Sequence, residues 1–179
     1  TSTGTPTYFM RGNRDFAVGD LFAQKTGVTI LEDPSVVNIY GRSILLMHGD
    51  LLCTDDEKYQ AFRQKVYLPG YIQKLYRLPL FIRRLIAAWA RYKSRKYTQK
   101  TDLNIQDVNQ IEVEQIMNKY QVDCLIHGHT HRPAHHEFTL EGKTVQRIVL
   151  PAWHDQGYVC ILHSDGRIED KILKHPSID

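Results

Sequence analysis

"LIHGHTHRP", residues 125–133, is the stretch whose reading decides the fold. It continues the apolar run Val122-Asp123-Cys124-Leu125-Ile126-His127 into Gly128, after which His129 and His131 stand one residue apart. A short apolar run closed by glycine reads as a strand buried on both faces, its polar residues waiting at the strand end. The same grammar occurs twice more. A strand over 7–11 ends in Gly12-Asn13-Arg14-Asp15, and the run Ile44-Leu45-Leu46-Met47 ends in His48-Gly49-Asp50. Imidazole nitrogens and amide oxygens are good ligands for divalent ions, and loops at the ends of strands in one sheet converge on one place. Asn13, His48, His129 and His131 are the candidate metal ligands.

Outward from these loops the chain alternates strands and helices. A helix over about 17–26 closes on Gly27, suited to a left-handed cap. Two strands meet at Tyr40-Gly41-Arg42. Thr54-Asp55-Asp56-Glu57 has the spacing of a capping box, so a helix is expected after Thr54, with Tyr59, Phe62 and Val66 along one face. Pro69-Gly70 breaks it, and one or two amphipathic helices follow, interrupted near Pro79. A helix over about 105–120 is expected to turn Val108, Ile111, Val113, Ile116 and Met117 to a core. Glu141-Gly142 and Asp165-Gly166 lie between alternating runs and mark hairpins. The fold class is α/β (α+β), one domain over 1–179 with a helical insert at about 58–101.

Charge is segregated. Of 23 Lys and Arg, 12 fall within 58–101, which holds no Asp or Glu, leaving 11 cations against all 20 acids elsewhere. Tyr71, Leu75, Leu78, Leu80, Phe81, Ile82, Leu85, Ile86 and Trp89 give the same segment an apolar surface. Apolar residues flanked by cations suit an anionic membrane surface and can take up acyl chains. No run approaches the roughly 20 apolar residues of a membrane span. The cysteines Cys53, Cys124 and Cys160 are odd in number and widely spaced, which fits reduced thiols in cytoplasm and excludes a CxxC zinc site.

"GNRD", "MHGD" and "GHTH", in this order and spacing, resemble three of the five signature blocks of the calcineurin-like metallophosphoesterases. The resemblance implies a β-sandwich flanked by helices and two divalent metals, manganese by preference, that activate water for attack on phosphorus. It places Asn13, His48 and His129 on one metal and His131 on the other, and makes His129 and Arg14 catalytic. With Arg14 after the Asn, "HGDLLCTDDEKYQAFR" and "IHGHTHRP", the chain is similar, from about Tyr8 to Trp153, to the branch that hydrolyses UDP-2,3-diacylglucosamine in lipid A biosynthesis. That branch implies a UDP-diacylglucosamine lipid substrate and a monomer peripheral on the cytoplasmic face of the inner membrane, with no nucleic-acid partner. Its substrate residues fall on Asn13, Arg14, Asp56, Ser94, Thr98, His129 and either Lys100 or Thr101, where the family has a Lys in place of Thr101.

The superfamily's opening Asp-x-His and Gly-Asp blocks are not found, and Asp15, Asp20 and Asp50 do not stand in for them. The portion carrying them amounts to roughly 65 residues, or two strands with their helices. The chain as it stands is therefore expected to be incomplete at its N-terminus, to bind metal weakly and to have little hydrolase activity. Two other readings stay open on the residues alone. One is a phosphoesterase acting on nucleotides or nucleic acid, since "RYKSRKYTQK" interleaves tyrosines with cations. The other is a non-catalytic module binding metal or lipid.

Overall fold

Apolar side chains at 44–47 and 124–126 alternate between the two faces of a central sheet, and both faces are covered. The computed structural model describes residues 4–99, 105, 107–154 and 156–173, apart from the side chain of Thr98. Its main sheet has the order β3-β4-β5-β7-β6, formed by β3 (Ser35–Ile39), β4 (Arg42–Met47), β5 (Cys124–His127), β6 (Ala134–Leu140) and β7 (Lys143–Val149). The inner strands β4, β5 and β7 are mutually parallel, and the outer β3 and β6 are antiparallel to their neighbours. Parallel inner strands deliver their C-terminal loops to the same edge, which is the arrangement a shared site needs.

On one face Leu45, Met47, Leu125 and Val145 pack against Val113 and Met117 of α5 (Gln110–Tyr120). On the other, Ile44, Cys124, Ile126 and Ile148 meet Cys160, Leu162 and Ile168 of a hairpin made by β8 (Gly157–Leu162) and β9 (Ile168–Leu173). Sheet faces sheet on that side and helix covers sheet on the other, as expected for a sandwich flanked by helices. A separate parallel pair, β1 (Tyr8–Met10) with β2 (Thr29–Leu31), carries the Asn13 loop. α1 (Asp20–Thr26) lies between those two strands in sequence and closes on Gly27 at φ 74.

Turn chemistry explains the hairpins. Tyr40 and Gly41 both have positive φ, and the Gly41 N–H donates to Asn38 Oδ1 at 3.0 Å, a two-residue connection that matches strand twist. Glu141 and Gly142 repeat the pattern between β6 and β7.

Several local expectations need correction. α2 (Glu57–Val66) is capped by Asp56, whose Oδ1 accepts from the Tyr59 N–H at 3.0 Å, and the helix does not begin after Thr54. Asp56 is also held by the Tyr97 hydroxyl at 2.6 Å, so the tertiary contact selects between two adjacent good caps. Phe62 is exposed, and Arg63 turns inward in its place. α5 starts at Gln110, well after 105, with the Asn109 side chain accepting from the Ile111 N–H. Ile111 is 64% exposed because it sits two residues before Val113, off the stripe formed by Val113, Ile116, Met117 and Tyr120. The basic segment forms α3 (Tyr71–Tyr76) and α4 (Leu80–Thr98), parted at Pro79.

Met117 is fully buried and Ile111 is not, so truncation separates them. Met117→Ala is expected to cost about 2–5 kcal/mol of stability in urea unfolding, whereas Ile111→Ala stays within about 0.5 kcal/mol.

Candidate functional site

The site lies where β1, β4, β5 and β7 end. Backbone bonds lace the inner strands together just past the sheet: the Gly128 N–H donates to the His48 carbonyl at 3.0 Å, and the Leu150 N–H to the His127 carbonyl at 2.7 Å. The His48 and His129 rings thereby come to 5.0 Å between centroids, edge to face. The Asn13 loop closes in from β1, its N–H donating to His48 Nε2 at 3.3 Å. That nitrogen therefore points its lone pair toward the Asn13 loop. Gly12 makes room for that ring, since a Cβ would stand 2.8 Å from it and displace it. A Cβ on Gly49 would stand 2.8 Å from His127 Nδ1 and 2.9 Å from the Gly128 oxygen, and its φ of 113 also favours glycine.

The last loop is conformationally costly. His129 and His131 have φ of 69 and 56, a left-handed region that disfavours side chains by about 1–2 kcal/mol each. Such residues persist where surrounding contacts over-determine them. Here the Thr130 N–H donates to the Gly128 carbonyl at 2.9 Å. Arg132 pairs with Asp107 just beyond.

Beneath the histidines lies a buried ionic network that sequence patterning does not reveal. Asp50 is fully buried; its Oδ2 accepts from the Tyr59 hydroxyl at 2.6 Å and from Arg63 Nε at 3.0 Å, while Oδ1 has no partner. The other arm of Arg63 reaches Asp33 Oδ2 at 3.3 Å, and Asp33 Oδ1 accepts from the His48 N–H at 3.1 Å. One guanidinium thus ties α2 to both ends of the β3–β4 hairpin. The Tyr59 ring stands 5.7 Å from that of His129. Burial, then the Asp50 charge, push the Tyr59 hydroxyl strongly up, so it remains a donor to the carboxylate. Burial also raises Asp33.

Burial, then the nearby His48, lower His129 to about 4, and burial lowers His127 to about 4 as well. Both are neutral imidazoles at pH 7. His131, exposed at the rim, is lowered by partial burial and by His154, whose ring is 6.3 Å away. Arg14 is exposed at the mouth and acts electrostatically on both His129 and His131.

Asn13, Arg14, His48, His129 and His131 are therefore brought together. Asp56 is buried at the start of α2, joined through Tyr97 to α4, and Ser94 lies one turn before Tyr97 on the same side of that helix. Lys100 and Thr101 fall outside the described residues, as does the Thr98 side chain. Among the described residues no three His, Cys, Asp or Glu side chains converge on one point, so a metal between His48 and His129 depends on the Asn13 amide as a further donor. His154 was not anticipated, although Pro151-Ala152-Trp153-His154 repeats the order of strand end followed by histidine. Asp33, Tyr59 and Arg63 carried no such signal.

The depressed histidines set a pH dependence. Unfolded, His127 and His129 take up protons near 6.5; folded, they resist until about 4. Their contribution to stability is full above about 6.5 and is lost as pH falls toward 4. The urea midpoint should fall between pH 7 and 5, above the ordinary carboxylate range; a flat or rising midpoint contradicts this. Gly49→Ala should destabilise by about 1–3 kcal/mol in the same assay.

A family model described as calcineurin-like phosphoesterase matches residues 2–133. The UDP-2,3-diacylglucosamine hydrolase of Coxiella burnetii (strain Dugway 5J108-111) is 50% identical over 169 residues, covering 94% of this chain and 70% of the relative. Proteins of the same name from Enterobacter sp. (strain 638) and Escherichia coli O81 (strain ED1a) are 48% and 49% identical, each over 92% of this chain and 68% and 69% of their own lengths. Identity of this order across nearly the whole chain, with the family model spanning all three loops, leaves one assignment. The chain belongs to the calcineurin-like phosphoesterase family.

Proposed function

We propose that the site to which this chain contributes Asn13, Arg14, His48, His129 and His131 hydrolyses the pyrophosphate bond of UDP-2,3-diacylglucosamine, water attacking the α-phosphorus to give UMP and 2,3-diacylglucosamine 1-phosphate in lipid A biosynthesis. The relatives' name and their half-identity across the chain support the substrate. The observation that carries the reading is the convergence of the Asn13, His48 and His129 loops, with Arg14 at their mouth.

Calcineurin-like phosphoesterases use divalent metals, and the donors present fit one. His129 is held neutral by burial, the His48 ring stands 5.0 Å from it, and the Asn13 side chain reaches the neighbouring Tyr59 hydroxyl; His48 Nε2, which accepts from the Asn13 N–H, would exchange that bond for the ion. In this reading Asn13, His48 and His129 would hold one ion and His131 would contribute to a second; imidazole and amide donors suit several divalent metals, and manganese is the one the family resemblance implies. When bound, such ions supply an activated water and offset charge on the attacked phosphoryl oxygens.

The chain's own groups do the rest. The permanently charged Arg14 forks onto two oxygens of the diphosphate, which a lysine cannot do. Asp56, Ser94, Thr98 and Lys100 or Thr101 bind the glucosamine and its phosphate. Residues 58–101 act as a lipid and substrate cap. Leu80, Phe81, Leu85, Ile86, Trp89 and Tyr92 of α4 are exposed, while Lys93 and Lys96 lie over the Trp89 and Tyr92 rings. Exposed apolar side chains interleaved with cations favour acyl chains at an anionic surface over a nucleic-acid backbone. No described helix is long and apolar enough to cross a membrane. In this reading the protein is a monomer peripheral on the cytoplasmic face of the inner membrane.

Release of UMP from UDP-2,3-diacylglucosamine tests this. Arg14→Ala is expected to lower kcat/KM by about a hundredfold, and His129→Ala to abolish turnover. Undiminished UMP release by either variant, or faster cleavage of an oligonucleotide than of the UDP-lipid, contradicts the proposal. Substituting Trp89 and Phe81 by Ser should reduce sedimentation with phosphatidylglycerol vesicles while sparing a water-soluble diphosphate substrate.

A further inference from the structure

We propose that Arg147 and His127 form a directional hydrogen-bond relay that holds the Gly128 peptide, and with it the His129 loop, in place for the reaction. Arg147 is then a positioning residue reaching the site through His127. His127 is 1% exposed and Arg147 8%. Arg147 Nη1 lies 3.2 Å from His127 Nε2, and His127 Nδ1 lies 2.9 Å from the Gly128 oxygen.

A guanidinium only donates, so Nε2 must be the bare nitrogen that accepts. The proton of the neutral imidazole therefore sits on Nδ1 and is donated to the Gly128 carbonyl. A doubly protonated ring would leave Arg147 facing a donor and bury two cations in contact. The relay thus has one direction: Arg147 to His127 to the Gly128 carbonyl.

The Gly128 peptide is the junction of the site. Its N–H donates to the His48 carbonyl, and its oxygen also accepts from the Thr130 N–H. Immediately after it come His129 and His131 in their left-handed conformations, which need outside restraint. Asp107 faces Arg147 electrostatically and is paired with Arg132, the residue after His131, so both ends of the loop reach the same small group of charges. The lack of a Cβ on Gly49 leaves the space that the His127 ring fills. Arg147 stands among the core residues Val145, Ile148 and Val149, and its Nε has no partner. Groups that orient the groups doing chemistry typically matter by about 10–100-fold.

The inference rests on the proposed role of His129, and the test separates the two. In protein labelled with 15N-histidine at pH 7, long-range proton–nitrogen spectra should show His127 protonated at Nδ1 alone. Protonation at Nε2, or at both nitrogens, overturns the relay outright and requires no variant. Arg147→Met should allow the Nε2-protonated form and shift the His129 ring signals; Arg147→Lys, which keeps a donor, should restore both. For UMP release, Arg147→Met should lower kcat about 10–100-fold with KM within about threefold, and Lys should recover most of it. A folded Met variant with unmoved His129 signals, or with unchanged kcat, refutes the positioning role. If the unaltered protein releases no UMP, the substrate reading fails, while the tautomer and the His129 signals still decide the relay.

Discussion

The hydrogen bond from the Gly128 N–H to the His48 carbonyl fixes the distance between two parallel strand ends, and the rest of the site depends on it. With β4 and β5 in register as far as Met47 and His127, one further bond past the sheet sets His48 and His129 ring to ring. Glycine at positions 12 and 49 leaves room for that approach, since a Cβ there would strike the His48 ring or the Gly128 oxygen. The Asn13 loop, carried on a separate pair of strands, then closes against His48 through one backbone N–H.

A close approach of this kind crowds polar groups in a buried place, and the structure answers with two networks. Beneath His48, the carboxylates of Asp50 and Asp33 share the Arg63 guanidinium, so neither charge is left buried without a partner of opposite sign. Beside His129, Arg147 and His127 hold the peptide that precedes it. Both networks join elements distant in sequence to the histidine loops. Arg63 lies in the first helix after the His48 block, so the position of the basic segment and the position of His48 are mechanically connected. Tyr97 adds a second connection from the far end of α4 to Asp56.

How much of this was legible depended on whether a feature is written locally. The runs at 44–47 and 124–127 showed buried strands because both sheet faces are covered, and the glycines beside Asn13, His48 and His129 showed where the backbone had to turn closely. The hairpin turns at Tyr40-Gly41 and Glu141-Gly142 were likewise local. The Asp50–Arg63–Asp33 network was not, because its members lie 13 and 30 residues apart and meet only through packing. The α2 cap was misread for the same reason: Thr54 and Asp56 are both good caps, and the choice was made by Tyr97, 41 residues further on. Ile111 was misplaced by a simpler fault, since its spacing from Val113 and Met117 already put it off the apolar stripe. His154 could have been found by extending the rule of strand end followed by histidine to a fourth loop.

The central claim is that these converging loops form a metal-dependent phosphoesterase site built on Asn13, His48 and His129. Anomalous scattering from crystals of the protein equilibrated with manganese tests it most directly. The account predicts an ion bound by the His48 and His129 imidazoles together with the Asn13 amide. Manganese found only at surface pairs such as His135 with Asp170, with none between His48 and His129 at saturating concentration, would contradict it.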